Sequence, residues 1–215
     1  MSVDRGFIKG GLFSNSVKRA FHRLSDYLDT QAIGVVGVTA SAEEINALAA
    51  ANANMTPGAG ITDGVGTIYA SSIERIGTLI KTTIVVDLTG LNGGGTAGDI
   101  IGTDGTGAAY LGQVTEALNG TIFAGSVTCL EVPTVSDPDV DLWSADEATG
   151  VEDSAISALT GEVQLTNGGD HTLARTIALI ALPVADQYLY LTGGDATAGT
   201  YGAGILKIEL LGLAS

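Results

Sequence analysis

From Thr78 onward the chain is a series of short apolar, β-branched runs cut by glycine-bearing turn clusters, and this alternation narrows its possible folds more than any other feature. Asn92-Gly-Gly-Gly95, Asp104-Gly105, Asn119-Gly120, Asn167-Gly-Gly-Asp170 and Gly193-Gly-Asp195 separate runs such as Thr82–Leu88, Gly120–Val132 and Ile205–Leu213. Tight turns need positive φ, which glycine, asparagine and aspartate adopt at little cost. The pattern predicts strands over 78–88, 100–103, 109–114, 121–132, 139–144, 157–164, 173–183, 187–192 and 204–213. Eight or nine strands within about 135 residues, with no long helix after Ala53, point to a mainly β fold, an antiparallel β-sandwich of jelly-roll type.

Upstream the texture changes, and the chain divides into segments 1–30, 31–77 and 78–215. Gly6, Gly10 and Gly11 break any helix in residues 1–13, leaving an extended arm that carries Phe7, Ile8, Leu12 and Phe13. Over 15–29, Val17, Ala20, Phe21, Leu24, Tyr27 and Leu28 recur at helical spacing on one stripe. That stripe has three possible partners: the chain's own body, another subunit, or a membrane surface. Ser41-Ala-Glu-Glu44 is a capping box that starts a second helix over 41–54, which Pro57-Gly58 ends. From Gly58 to Gly77 the chain reads as a turn-rich connector. The fold is therefore a β-sandwich preceded by an N-terminal arm and two short helices.

Charge is divided along the same line. The chain carries a net charge of −15, yet residues 1–30 hold Arg5, Lys9, Lys18, Arg19 and Arg23 against Asp4, Asp26 and Asp29. An acidic body repels nucleic acid and anionic membranes, so neither is an expected partner, and only the basic head can approach a negative surface. No apolar run is long enough for a membrane-spanning helix, and the start lacks the basic-then-apolar order of a secretory signal.

Reactive chemistry is sparse, with two histidines and one cysteine. Cys129, inside Val127-Thr-Cys-Leu-Glu-Val132, reads as a small core hydrophobe. Gly93-Gly-Gly-Thr-Ala-Gly98 lacks the Gly-Lys-Ser/Thr ending of a phosphate loop and reads as a hairpin loop. Asp170-His171 has no serine in a nucleophile elbow beside it. Asp137, Asp139 and Asp141 alternate, which in a strand places them on one face, either as a calcium cluster or as a solvated acidic edge. Trp143, the only tryptophan, reads as a core anchor or, if exposed, a surface for a sugar ring or a neighbouring subunit. Tyr188 and Tyr190 share one face of a strand, read as a subunit contact or a solvent-facing layer, and Leu189 and Leu191 share the other. No catalytic, cofactor-binding or metal residue is assigned, and the expected function is not enzymatic.

Two segments carry a resemblance. Val38-Thr39-Ala-Ser-Ala-Glu-Glu44-Ile45-Asn46-Ala-Leu48 resembles a Thr-Ala-x-Glu-Ile/Leu-Asn-x-Leu segment of structural proteins of tailed bacteriophages. Gln187-Tyr-Leu-Tyr-Leu-Thr-Gly-Gly194 and Tyr201-Gly-Ala-Gly-Ile-Leu-Lys-Ile-Glu-Leu-Leu-Gly-Leu213 resemble the closing strands of phage jelly-roll domains, found in head decoration (cement) proteins and in fibre or knob domains. The first segment departs from fibre proteins, which continue with Leu-Asp-Gly where this chain has Ala-Ala-Ala-Asn-Ala-Asn54. The resemblance implies a virion protein on the capsid exterior, assembled in the host cytoplasm. Its expected partners are the major capsid protein and further copies of itself in a homotrimer. Arg5, Phe7, Ile8, Leu12, Phe13, Lys18, Arg19, Phe21, Arg23 and Leu24 are the expected capsid or subunit contacts. The alternative is a tail fibre or head knob that binds host surface glycans, with Trp143 and Tyr201 exposed in a groove.

Overall fold

The computed structural model describes residues 54–214. The expected helix over 15–29, that over 41–54 apart from Asn54, and all ten expected contact residues from Arg5 to Leu24 lie outside the described residues. The described chain is built from strands β1 (Ile68–Ile76), β2 (Leu79–Asp87), β3 (Asn92–Gly93), β4 (Gly112–Gln113), β5 (Thr121–Thr134), β6 (Val140–Ala145), β7 (Val163–Gln164), β8 (Thr176–Ala178), β9 (Tyr188–Gly193), β10 (Gly199–Thr200) and β11 (Ala203–Leu213). Two one-turn helices, α1 (Ala59–Thr62) and α2 (Glu116–Asn119), and a 3-10 turn at Ile156–Ala158 complete it. The larger sheet has the order β1-β2-β11-β5-β8, the smaller β4-β9-β6-β7, and β3 pairs with β10. Every named pairing is antiparallel.

The larger sheet follows from a simple alternation. Along β2, Ile80, Thr82, Ile84 and Val86 are buried while Lys81, Thr83, Val85 and Asp87 are half-exposed. Along β11, Leu206, Ile208 and Leu210 point inward while Lys207 and Glu209 point out. Register brings Ile208 opposite Ile84 on one side and Val127 on the other, so the inward rows form an unbroken apolar layer. Each such side chain contributes about 1.5–3 kcal/mol when fully buried. On the outer face Glu209 pairs with Lys81 at 3.0 Å and with Lys207 at 2.8 Å.

Gly77 and Gly212 illustrate where the geometry requires glycine. Gly77, with φ 63°, takes the first central position of the two-residue β1–β2 turn, where a II′ hairpin calls for glycine. Gly212 lets α2 approach β11, because a Cβ there would stand 1.9 Å from the Asn119 carbonyl oxygen. α2 is capped by Thr115, whose hydroxyl accepts from the Leu118 amide. Its last residue, Asn119, is buried and donates to the Thr82 hydroxyl at 2.8 Å.

The inner rows of both sheets, including Ile84, Ile208, Leu142 and Leu191, belong to one apolar core. The described chain is thus mainly β with antiparallel sheets, compatible with a β-sandwich.

The structure departs from the sequence pattern in identifiable places. β1 lies inside the stretch read as a turn-rich connector. As an edge strand with one neighbour, it buries only Ile73 fully, so its sequence has no strong apolar period. Residues 100–103 form isolated bridges from Ile100 to Thr192 and from Gly102 to Asn92 instead of a strand. Of 157–164 only β7 is strand, the start being the 3-10 turn and its continuation. Of 173–183 only β8 is strand, because the chain then crosses between sheets: the Leu179 amide bonds to Gly125 and the Ile180 amide to Leu165.

Candidate functional site

The outer face of the smaller sheet holds the most developed site among the described residues. β6 and β9 place Trp143 opposite Tyr190 and Asp141 opposite Thr192, and β7 adds Gln164 opposite Trp143. Directly opposed residues share a face, so these five side chains rise from one side of the sheet. Leu142 and Leu191 point the other way into the core.

This face is covered at one end and open at the other. Tyr190 is completely buried: its hydroxyl donates to the Glu147 carbonyl at 2.6 Å and accepts from the Gly150 amide at 3.3 Å. Burial pushes its phenol up to about 12. The covering loop, from Asp146 to Gly161, is tied down by Gln187, whose amide nitrogen donates to Asp146 Oδ1 at 3.0 Å and to the Gly161 carbonyl at 2.9 Å. The Gln187 amide oxygen accepts from the Ser144 hydroxyl at 2.8 Å. The tyrosine face is therefore neither a subunit contact nor a solvent layer at Tyr190, but packed under the chain's own loop. Half-buried Tyr188 meets Tyr110 edge-to-face at a centroid distance of 5.1 Å.

Beyond that cover, an open groove of about 280 Å³ runs over Asp141, Trp143, Gln164 and Thr192. Its walls are Ala97–Gly98 on one side and Ile156–Ser157 on the other. The walls are fixed by backbone bonds from the Gly98 amide to Gly193 at 2.8 Å and from the Ile156 amide to Gly98 at 2.9 Å. Asp141 is 5% exposed and accepts from Gln164 Nε2 at 2.8 Å. Burial and the neighbouring Asp139 charge push its carboxyl up to about 6, against the Gln164 and Thr166 bonds that hold it down. Thr192 is 1% exposed and its hydroxyl has no partner; the Trp143 indole nitrogen has none either. Trp143 itself is half-buried.

The other expected residues take structural positions. Asp137 and Asp139 precede β6 instead of lying in it, and β6 is an inner strand, so the alternation does not put three carboxylates on a solvated edge. Asp137 is buried and caps backbone, accepting from the Asp139 amide at 2.9 Å and the Asp195 amide at 2.6 Å. The Asp139 carboxyl packs against Gly194, and its pKa is raised by burial and then by Asp137, Asp195 and Asp170. Among the described residues no group of three carboxylate, histidine or cysteine side chains is placed to hold a metal ion.

His171 is buried with Nε2 at 2.9 Å from the Val140 carbonyl, and burial lowers its pKa. It serves as a core strut. Cys129 is buried, its thiol donates to the Glu131 carbonyl at 3.3 Å, and burial raises its pKa. Tyr201 is 1% exposed and donates to the Asp137 carbonyl at 3.0 Å, so it lines no groove. The glycine run 93–98 turns on Asp99, whose carboxylate accepts from the Thr96 amide at 2.9 Å.

The sequence singled out Trp143 and Asp141 without joining them. Thr192 and Gln164 carried no local signal, because only strand register brings them alongside. Compared with protein-family models, with curated proteins and with solved structures, the chain matches none.

Proposed function

We propose that this chain is a non-enzymatic virion protein of a tailed bacteriophage. In this reading it is a cement protein that decorates and stabilises the capsid as a homotrimer, with a jelly-roll body and a docking arm at residues 1–30. The observation that carries the reading is the nesting of the strand pairs. Apart from the edge strand β1 and the short β3–β10 pair, β2 pairs with β11, β4 with β9, β5 with β8, and β6 with β7. First thus meets last, second meets seventh, third meets sixth and fourth meets fifth. Nesting of this kind is what a long antiparallel hairpin rolled into two sheets, the double Greek key of a jelly roll, would produce, and it supports that reading of the body. The β11·β5 and β9·β6 pairs stand where such a roll would close. Such a body supports the resemblance of residues 187–213 to phage jelly-roll closing strands.

The His171 and Cys129 side chains are buried and bonded to backbone carbonyls, leaving neither as a nucleophile or base at the surface. Docking falls to the arm, where Arg5, Lys18, Arg19 and Arg23 suit a negative capsid surface and Phe7, Ile8, Leu12, Phe13, Phe21 and Leu24 supply apolar anchors. Three arms on one trimer add avidity, so weak single contacts hold.

The test is co-sedimentation of the full chain with cognate capsids lacking it, beside Phe21→Asp. The reading expects saturable binding that Phe21→Asp abolishes while the body stays folded. Absence of binding by the full chain, or unchanged binding and oligomer mass in Phe21→Asp, contradicts it. The rival reading, a fibre or knob binding host glycans, is favoured by one observation, the half-buried Trp143 beside an open groove; its second requirement, an exposed Tyr201, is not met.

A further inference from the structure

We infer that the groove on the outer face of the smaller sheet binds a neutral sugar ring, held by Asp141, Gln164 and Thr192 beside the Trp143 indole. The inference rests on the groove and holds for a head or a tail location of the chain.

The groove has needs that its own residues leave unmet. The Trp143 indole N–H is a donor with no acceptor, and the Thr192 hydroxyl, 1% exposed and on the groove face by register, has neither donor nor acceptor. Buried polar atoms are rarely left so. Asp141 offers only acceptors when ionised; its Oδ2 already serves Gln164 at 2.8 Å, and its Oδ1 has only a long bond of 3.5 Å from the Thr166 hydroxyl. A ligand that completes this set must both donate and accept, at several points around an apolar centre.

That requirement separates ligand classes. An anion would meet the Asp141 carboxylate. An organic cation would satisfy Asp141 and lie well against the indole, but it brings no acceptor for the indole N–H. A polyhydroxylated ring brings hydroxyls, each donor and acceptor at once, and C–H surfaces that suit an aromatic side chain. The groove's volume of about 280 Å³ sits at the lower edge of ligand sites, which run from roughly 300 to 1,000 Å³. It therefore suits a ligand as small as one sugar ring.

Trp143 is the only tryptophan in the chain, so emission excited selectively at the indole, where the six tyrosines do not absorb, reports on this groove. The experiment titrates it with glucose, galactose, mannose and N-acetylglucosamine, with tetramethylammonium chloride and inorganic phosphate as the other arms. The expected result is a saturable emission change with at least one neutral sugar and none with phosphate. Thr192→Val and Gln164→Ala weaken that binding about tenfold or more, and Glu209→Gln on the other sheet leaves it unchanged. Ala97→Arg, at an exposed position on the rim, blocks the sugar without touching the core and keeps the test valid if an inner variant fails to fold. No sugar response, a response to tetramethylammonium alone, or wild-type sugar binding in both Thr192→Val and Ala97→Arg overturns the proposal. Loss of sugar binding leaves capsid docking by the arm intact.

Discussion

The larger sheet turns its outer face to solvent, with Lys81, Glu209 and Lys207 in a charged ladder, whereas the smaller sheet carries Tyr190 on its outer face and buries it completely. The larger sheet is centred on β2 and β11, long strands with a strict inside–outside alternation. The smaller is made of short strands whose outer face is roofed by the loop from Asp146 to Gly161 over Tyr190, and left open over Asp141 and Thr192. The difference teaches where each sheet gets its stability. The larger sheet needs only the shared core, while the smaller also depends on a polar clasp between Gln187, Asp146 and the loop backbone. The groove is the part of that second face which the clasp does not reach.

The largest expected effect is the contrast between outward residues of the two sheets. Tyr190→Ala should cost about 3–5 kcal/mol, as truncation of a buried aromatic does. Val85→Ala, outward on the larger sheet, should cost no more than about 1 kcal/mol. Chemical denaturation of both variants measures this, and equal costs would break the comparison. Tyr190→Phe sharpens it by removing only the hydroxyl that bonds Glu147 and Gly150, with an expected loss of about 1–3 kcal/mol. Tyr188→Phe is the control and should change little.

A third test is pH dependence. Asp141 holds its proton more tightly in the folded chain, its pKa moving from 3.8 to about 6. Across that window the folded chain keeps a proton that the unfolded chain has released, so this group's contribution to stability falls as pH rises. Asp141→Asn removes the dependence. The variant should therefore gain stability relative to the wild type between about pH 4 and about pH 7, and denaturant midpoints at those two values read the gain. A constant difference would mean that Asp141 is not held in a desolvated site. The smallest effect belongs to the charged ladder: Glu209→Gln should cost less than about 1 kcal/mol, and less still at high salt, as exposed ion pairs do.

Much of the larger sheet was legible because its strands bury one face only. β2 and β11 announce themselves through Ile80–Val86 and Leu206–Leu210, and glycine turns mark their ends. β1 was not legible, since Ile68–Ile76 sits at an edge and its Ser71, Ser72, Glu74 and Arg75 mask the period. In the smaller sheet, Tyr188–Gly193 was readable as a strand, but the fate of its tyrosine face was not. Whether Tyr190 meets solvent, a partner or its own chain depends on a loop whose acidic residues look like an ordinary surface stretch. The acidic run before β6 misled for a related reason. Asp137 is buried because two backbone amides and not solvent satisfy it, and amide partners leave no trace in side-chain order. The groove needed register: Thr192 and Gln164 lie far from Asp141 in sequence and reach it only across strands.

The central proposal, that the chain decorates a capsid through a jelly-roll body, is tested most directly by electron cryo-microscopy of purified virions with and without the chain. The account predicts density for a β-rich body on the capsid exterior, repeated in threes and absent when the chain is absent. Density confined to the tail, or identical capsids in the two preparations, would contradict it.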